Sequence, residues 1–225
     1  MEFDLERYLA VLAQKLSDTY HGRLCFFGLQ GSRARGEAAP QSDIDTVLIL
    51  DRVTLSDLQT YRALIASMAY ADLACGFVSG ANELSHWPRC DLFTFYYDTR
   101  PLIGSLEQLI TPPGKDEAQA AARAGAANLY HEVCHRYLYS PVDAESLKGA
   151  YKSAFFILQA LTFFKTGTYH PTKAALLEAL SDPDREILQT SIDWDTDLGR
   201  QNRALAPDGY YRQLLEWSAS VLKTV

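Results

Sequence analysis

Leu24-Cys25-Phe26-Phe27-Gly28-Leu29-Gln30-Gly31-Ser32, ten further residues, and then Asp43-Ile44-Asp45-Thr46-Val47-Leu48-Ile49-Leu50 form the stretch on which the reading of this chain turns. Two apolar runs of strand length are separated by a polar connection containing Gly36 and Pro40, so they read as buried strands on either side of a turn. If the first strand ends at Gly31 and the second begins at Asp43, the two ends can meet. Alternation along the second strand then puts Asp43 and Asp45 on one face and Ile44 on the other, buried. Two neighbouring carboxylates repel each other unless a hard divalent cation sits between them, and Mg²⁺ held by one or two carboxylates plus substrate phosphates is the usual solution. Gly31 lets the backbone come close to a phosphate, and Ser32 at a turn or helix start offers an N–H and a hydroxyl to hold it.

Working outward, Leu5, Tyr8, Leu9, Leu12 and Leu16 recur at helical spacing behind a possible Asp4 cap, which predicts a first amphipathic helix. Downstream, Ser56 is placed to cap a helix carrying Leu58, Tyr61, Leu64, Ile65 and Met68, while Gly76 to Ser79 and Asp91 to Tyr97 read as further strands. The turn-rich Thr111-Pro112-Pro113-Gly114-Lys115 marks a change of character, beyond which alanine-rich helical patterns take over. Helices are expected over about 117–140, 144–166, 172–190 and 208–224, with a loop from Asp193 to Pro207. The predicted fold class is α+β: an α/β domain with a mixed sheet over residues 1–115, and a helical, four-helix-bundle-like domain over 116–225.

Composition narrows the function. With 225 residues, 48% hydrophobic and 22% charged, the chain is that of an ordinary globular protein. No apolar run reaches the length of a membrane span, and Met1-Glu2-Phe3-Asp4-Leu5-Glu6 lacks the start of a signal peptide, so a cytoplasmic location with no membrane partner is expected. A net charge of -7 disfavours a long nucleic acid but not a nucleoside triphosphate, whose charge a bound metal and a few local cations can meet. The four cysteines, Cys25, Cys75, Cys90 and Cys134, show no paired spacing and are expected to be reduced, buried thiols.

The Gly31-Ser32 pair, the ten-residue interval and Asp43-Ile44-Asp45 running into an apolar strand resemble the DNA polymerase beta-type nucleotidyltransferase superfamily. The resemblance strictly covers residues 24 to 50. It implies that Asp43 and Asp45 bind two Mg²⁺ ions and that Gly31 and Ser32 hold the β- and γ-phosphates of ATP or another NTP. An acceptor hydroxyl, on a small molecule or a protein, then displaces pyrophosphate from the α-phosphorus. It also implies a third carboxylate on a later strand, acting as metal ligand or catalytic base. Asp91, at the head of Asp91-Leu92-Phe93-Thr94-Phe95, is the first choice for it and Asp72 the second. Arg33 and Arg35 flank the turn and are candidates to neutralise the triphosphate. Lys148 and Lys152, four apart on one helix face, are candidates to reach the nucleotide from the helical domain, which is similar in arrangement to the C-terminal bundle of aminoglycoside nucleotidyltransferases.

Two other readings compete. The chain could be a nucleotide-binding regulatory or antitoxin-like protein with little turnover. His131-Glu132-Val133-Cys134-His135 fits the His-Glu-x-x-His pattern of zinc metalloproteases, but the extended form would need glycine and histidine where Leu138 and Pro141 stand. The acidic stretch Ser191 to Asp197, with Trp194 as a possible stacking surface, would suit a cationic acceptor. The oligomeric state is not legible.

Overall fold

The computed structural model describes residues 3–225, the side chains of 198 and 203–205 excepted. The chain divides into two compact units: one runs up to Pro88 and takes in Asp98–Pro112, and the other is Arg89–Tyr97 with Pro113–Val225.

The first unit opens with α1 (Leu5–Tyr20), whose N-terminus is capped by the Asp4 side chain accepting from the Arg7 amide at 3.0 Å. Its buried stripe is Tyr8, Leu9, Leu12, Leu16 and Tyr20; of the residues the helical spacing marks out, Leu5 in the first turn is only half-buried, and Tyr20 extends the stripe by one turn. Then come β1 (Leu24–Leu29), a single-turn helix α2 (Gly31–Arg35), β2 (Ile44–Leu50), α3 (Leu55–Ala66), β3 (Ala74–Gly80), the short α4 (Ala81–Ser85) and β4 (Arg100–Ile103). The sheet order is β3-β2-β1-β4, with β1 antiparallel to both β2 and β4 and β2 parallel to β3. This is a mixed sheet. In β2 the side chains of Val47, Leu48, Ile49 and Leu50 are all fully buried, so both faces of the strand are covered and its apolar run is continuous rather than alternating.

The cap of α3 is Thr54, not Ser56. The Thr54 hydroxyl accepts from the Asp57 amide at 3.3 Å while the Asp57 carboxylate accepts from the Thr54 amide at 2.8 Å, a reciprocal box that Ser56, already inside the first turn, has no way to make. The Asp57 carboxylate also takes both terminal nitrogens of Arg23, at 2.8 and 3.1 Å. Its side chain is only 11% exposed, and the Arg23 guanidinium, followed by the Thr54 groups, holds it well below the usual carboxylate range.

The second unit is helical: α5 (Asp91–Tyr97), α6 (Lys115–Tyr139), α7 (Lys148–Thr166), α8 (Lys173–Ala179), α9 (Asp184–Ile192), α10 (Asp197–Leu205) and α11 (Pro207–Thr224). The buried line on α6 is Ala118, Ala122, Ala126, Leu129 and Val133, in one core with Ala150, Ala154 and Leu158 of α7, and Gly125 lets α6 come close to Ile157 of α7, where a Cβ would be 2.8 Å from its Cγ1. Asp91–Tyr97, expected as a strand, is helix α5. Short apolar runs carry no decisive period, and here Phe93 and Tyr97, one helical turn apart with ring centroids at 5.1 Å, both pack at 5.1 Å against Phe163 of α7. The expected helix over 172–190 is two helices, because Pro183 begins a new one while Thr172 caps the first through the Ala175 amide at 3.2 Å. The expected loop 193–207 contains α10. The cysteines are free but not buried: Cys75 is exposed and the other three are half-buried.

Candidate active site

The two ends of the opening motif do meet. The Gln30 amide donates to the Asp45 carbonyl at 2.7 Å, which ties the end of β1 to the start of β2. Ile44 is fully buried and Thr46 is 3% exposed, so Asp43 and Asp45 project together from the opposite face. Gly31 has a φ of +73°, and a Cβ there would collide with the Asp45 carboxylate. Glycine is therefore required twice over, by conformation and by space.

Both flanking arginines brace this arrangement. Arg33 donates to the carbonyls of Pro40, Ser42 and Asp43 at 2.6–3.2 Å and lies 4.5 Å from the Phe3 ring centroid, pinning α2 to the approach to β2. Arg35 donates to both Asp98 oxygens at 2.6 and 2.7 Å and to Glu37 at 3.0 Å; its side chain and that of Asp98 are each 7% exposed. Asp98 in turn accepts the Gly31 amide at 3.2 Å. Burial pushes the Asp98 carboxyl up, and the Arg35 guanidinium and Gly31 amide pull it back. Asp98 is a residue the sequence reading missed, because it lies 63 positions from Arg35 and no motif marks it.

Among the described residues, one group of possible metal ligands converges: Asp43, Asp45 and Cys75, whose ligand atoms all lie within 4.8 Å of one another. The parallel register pairs Asp45 with Cys75, so the thiol stands on the same face as the carboxylates. Desolvation first, and then the Asp45 carboxylate, push the Cys75 thiol up. Neither sequence choice for the third acidic residue belongs to this group. Asp91 sits in α5 of the helical unit, where it lines a hollow of about 390 Å³ with Thr94, Asn128 and Glu132. Asp72 is exposed in the 3₁₀ turn Ala71–Leu73 ahead of β3. Cys75 was legible only as one of several cysteines in apolar runs; the signal that places it, the register of β3 on β2, is tertiary.

Lys148 and Lys152 lie in the first turns of α7 in the helical unit, Lys152 exposed and Lys148 holding Asp195 at 2.7 and 2.8 Å. His131 and His135 are both exposed on α6 with ring centroids 6.1 Å apart, and Glu132 is paired to Arg136 at 2.8 Å. No third ligand converges on them among the described residues, so the metalloprotease reading has no site. Trp194 offers no stacking surface: it is 2% exposed and packs against Tyr151 at 4.9 Å.

A strand-turn-strand unit that sets two carboxylates against a glycine turn, within a mixed sheet, defines a nucleotidyltransferase domain. Residues 14–72, within the first unit, match the family described as nucleotidyltransferase domain. Over 94% of this chain and 99% of that chain, the fold is similar to spectinomycin adenyltransferase AAD(9) from Enterococcus faecialis, solved with ATP and spectinomycin, with a TM-score of 0.57 and 14% identity. No curated protein matches the chain by sequence. No helix among the described residues is long and apolar enough to cross a membrane.

Proposed function

We propose that the chain transfers a nucleoside monophosphate from an NTP, ATP in the first instance, to a hydroxyl of a small cationic molecule, with release of pyrophosphate. The observation that carries this is the convergence of Asp43 and Asp45 against the Gly31 turn. Two carboxylates at this separation fit a divalent ion, and Asp43 and Asp45 would hold it. When bound, such an ion supplies charge neutralisation and polarisation of the phosphate oxygens. Gly31 and Ser32 orient the β- and γ-phosphates through backbone and hydroxyl donors. Arg33 and Arg35 act indirectly, by fixing the turn. In the reaction the acceptor oxygen bonds to the α-phosphorus, the bond to the pyrophosphate bridging oxygen breaks, and the hydroxyl proton is lost.

The acceptor would be bound by the helical unit. The net charge of -7 favours a cation, and α9, α10 and α11 enclose a hollow of about 730 Å³ whose lining includes Glu186, Gln189, Thr190, Asp193, Tyr210 and Gln213. ATP as donor and a small molecule as acceptor are consistent with the structural neighbour, which was solved with ATP and spectinomycin. The test is pyrophosphate release from each NTP with divalent metal, across a panel of cationic and neutral hydroxyl compounds, for the natural chain and Asp45→Asn. Release that depends on one class of acceptor and is lost in Asp45→Asn is expected. Nucleotide binding without release from any acceptor would instead make the chain a regulatory binder.

A further inference from the structure

Cys75 stands on β3, a strand after β2, with its thiol beside the two carboxylates. Three features put it there. The β2–β3 register sets it directly beside Asp45. Next to it, Gly76 has a φ of +153°, and a Cβ on it would run into the Thr46 carbonyl, so glycine at this position is what lets β3 keep the register that sets Cys75 opposite Asp45. The Cys75 sulfur and the Asp43 and Asp45 oxygens then fall within 4.8 Å of one another. A structural cysteine is among the most buried of residues, yet this one is exposed, free of any disulfide, and in the one cluster of the described residues fit to ligate a metal.

We propose that Cys75 is a ligand of the metal held by Asp43 and Asp45, and that its sulfur moves the site's preference from Mg²⁺ towards thiophilic ions such as Zn²⁺ and Co²⁺. The proposal rests on the metal-binding reading given above. Mg²⁺ demands oxygen ligands in near-octahedral geometry, whereas thiolate ligands select ions such as Zn²⁺. A site with two carboxylates and a thiol offers two hard donors and one soft one.

The test uses the full chain and its Cys75→Ser, Cys75→Asp and Asp45→Asn variants, titrated separately with Mg²⁺, Zn²⁺ and Co²⁺. With Co²⁺ the natural chain should show a near-ultraviolet thiolate-to-cobalt charge-transfer band that Cys75→Ser lacks. Cys75→Ser should lose about tenfold or more in Zn²⁺ and Co²⁺ affinity while Mg²⁺ affinity stays within about twofold, on the scale by which ligand-sphere changes usually act. Cys75→Asp should turn the preference back to Mg²⁺. Asp45→Asn should lose all three ions. If Cys75→Ser keeps the band and its Zn²⁺ affinity while Asp45→Asn binds nothing, Cys75 is not a ligand and the metal site stands without it. If Asp45→Asn binds every ion like the natural chain, both readings fall. Zn²⁺ protection of the Cys75 peptide from iodoacetamide, read by mass spectrometry on the natural chain, needs no variant to fold; equal labelling with and without Zn²⁺ would overturn the proposal.

Discussion

At Gly31 a φ of +73° and the neighbouring Asp45 carboxylate together leave no room for a side chain. The place of Gly31 before Ser32 is what the sequence shows of this turn; the need for glycine itself, a positive φ with an Asp45 carboxylate where a Cβ would go, comes from the fold. Gly31→Ala should therefore cost about 1–3 kcal/mol of stability from backbone strain, and should displace Asp45, lowering metal and nucleotide affinity together. Calorimetric titration alongside a urea melt checks this, and unchanged metal affinity would show that the close approach is unimportant. The arginines were half legible. Charge beside a phosphate turn could be seen in the sequence, but not its partners, since Asp98 is brought to Arg35 by the sheet. Both charges of that pair are buried, so Asp98→Ala leaves the Arg35 guanidinium with Glu37 in place of its two closest acceptors and should destabilise the chain by roughly 3 kcal/mol. The double change Arg35→Met with Asp98→Leu should recover much of that loss while still weakening nucleotide binding, because the Gly31 amide keeps no acceptor. A double variant that bound nucleotide normally would remove the brace from the mechanism.

At the scale of elements, what the sequence shows is what local pattern determines. α1, β1 and β2 follow from amphipathic spacing and from apolar runs bounded by Gly and Asp. Asp91–Tyr97 was lost to tertiary context: its aromatic residues find a helical neighbour, Phe163, that no local pattern reveals. The place of Cys75 beside Asp45 was not legible for a related reason, since the register of β3 on β2 decides it and no local pattern reports that register. The cap of α3 yields a prediction with a definite sign. In the folded chain Asp57 holds its proton less tightly than in the unfolded chain, because the Arg23 guanidinium and then the Thr54 hydroxyl and amide stabilise its carboxylate. Below about pH 4 the unfolded chain therefore binds more protons, and the contribution of Asp57, fully present above that range, is lost as pH falls. Urea midpoints followed from about pH 6 down to about pH 3 should drop more steeply for the natural chain than for Asp57→Asn. Parallel profiles would show that the capping box and its arginine make no linked contribution.

For the whole molecule, charge is the property the sequence reports most directly, and it bears on the class of acceptor. A net charge of -7 leaves no surplus of cations to displace the counterions of a polynucleotide, and the two arginines nearest the phosphate turn are already engaged, Arg33 by backbone carbonyls and Arg35 by carboxylates. A triphosphate needs far less: a turn of backbone donors and a metal on two carboxylates meet its charge locally. The nucleotide and the polynucleotide should therefore part company in a binding experiment. Anisotropy of a labelled single-stranded DNA or RNA should show no binding tighter than about 10⁻⁴ M at physiological salt, the weak end of non-specific association, while ATP with divalent metal binds measurably under the same conditions. Raising the salt should leave ATP binding far less affected than any residual polynucleotide signal, because few phosphates are neutralised by mobile side chains. Micromolar polynucleotide binding with a steep salt dependence would mean that the acidic balance of the chain conceals a basic track, and that the acceptor is a nucleic acid end rather than a small cationic molecule.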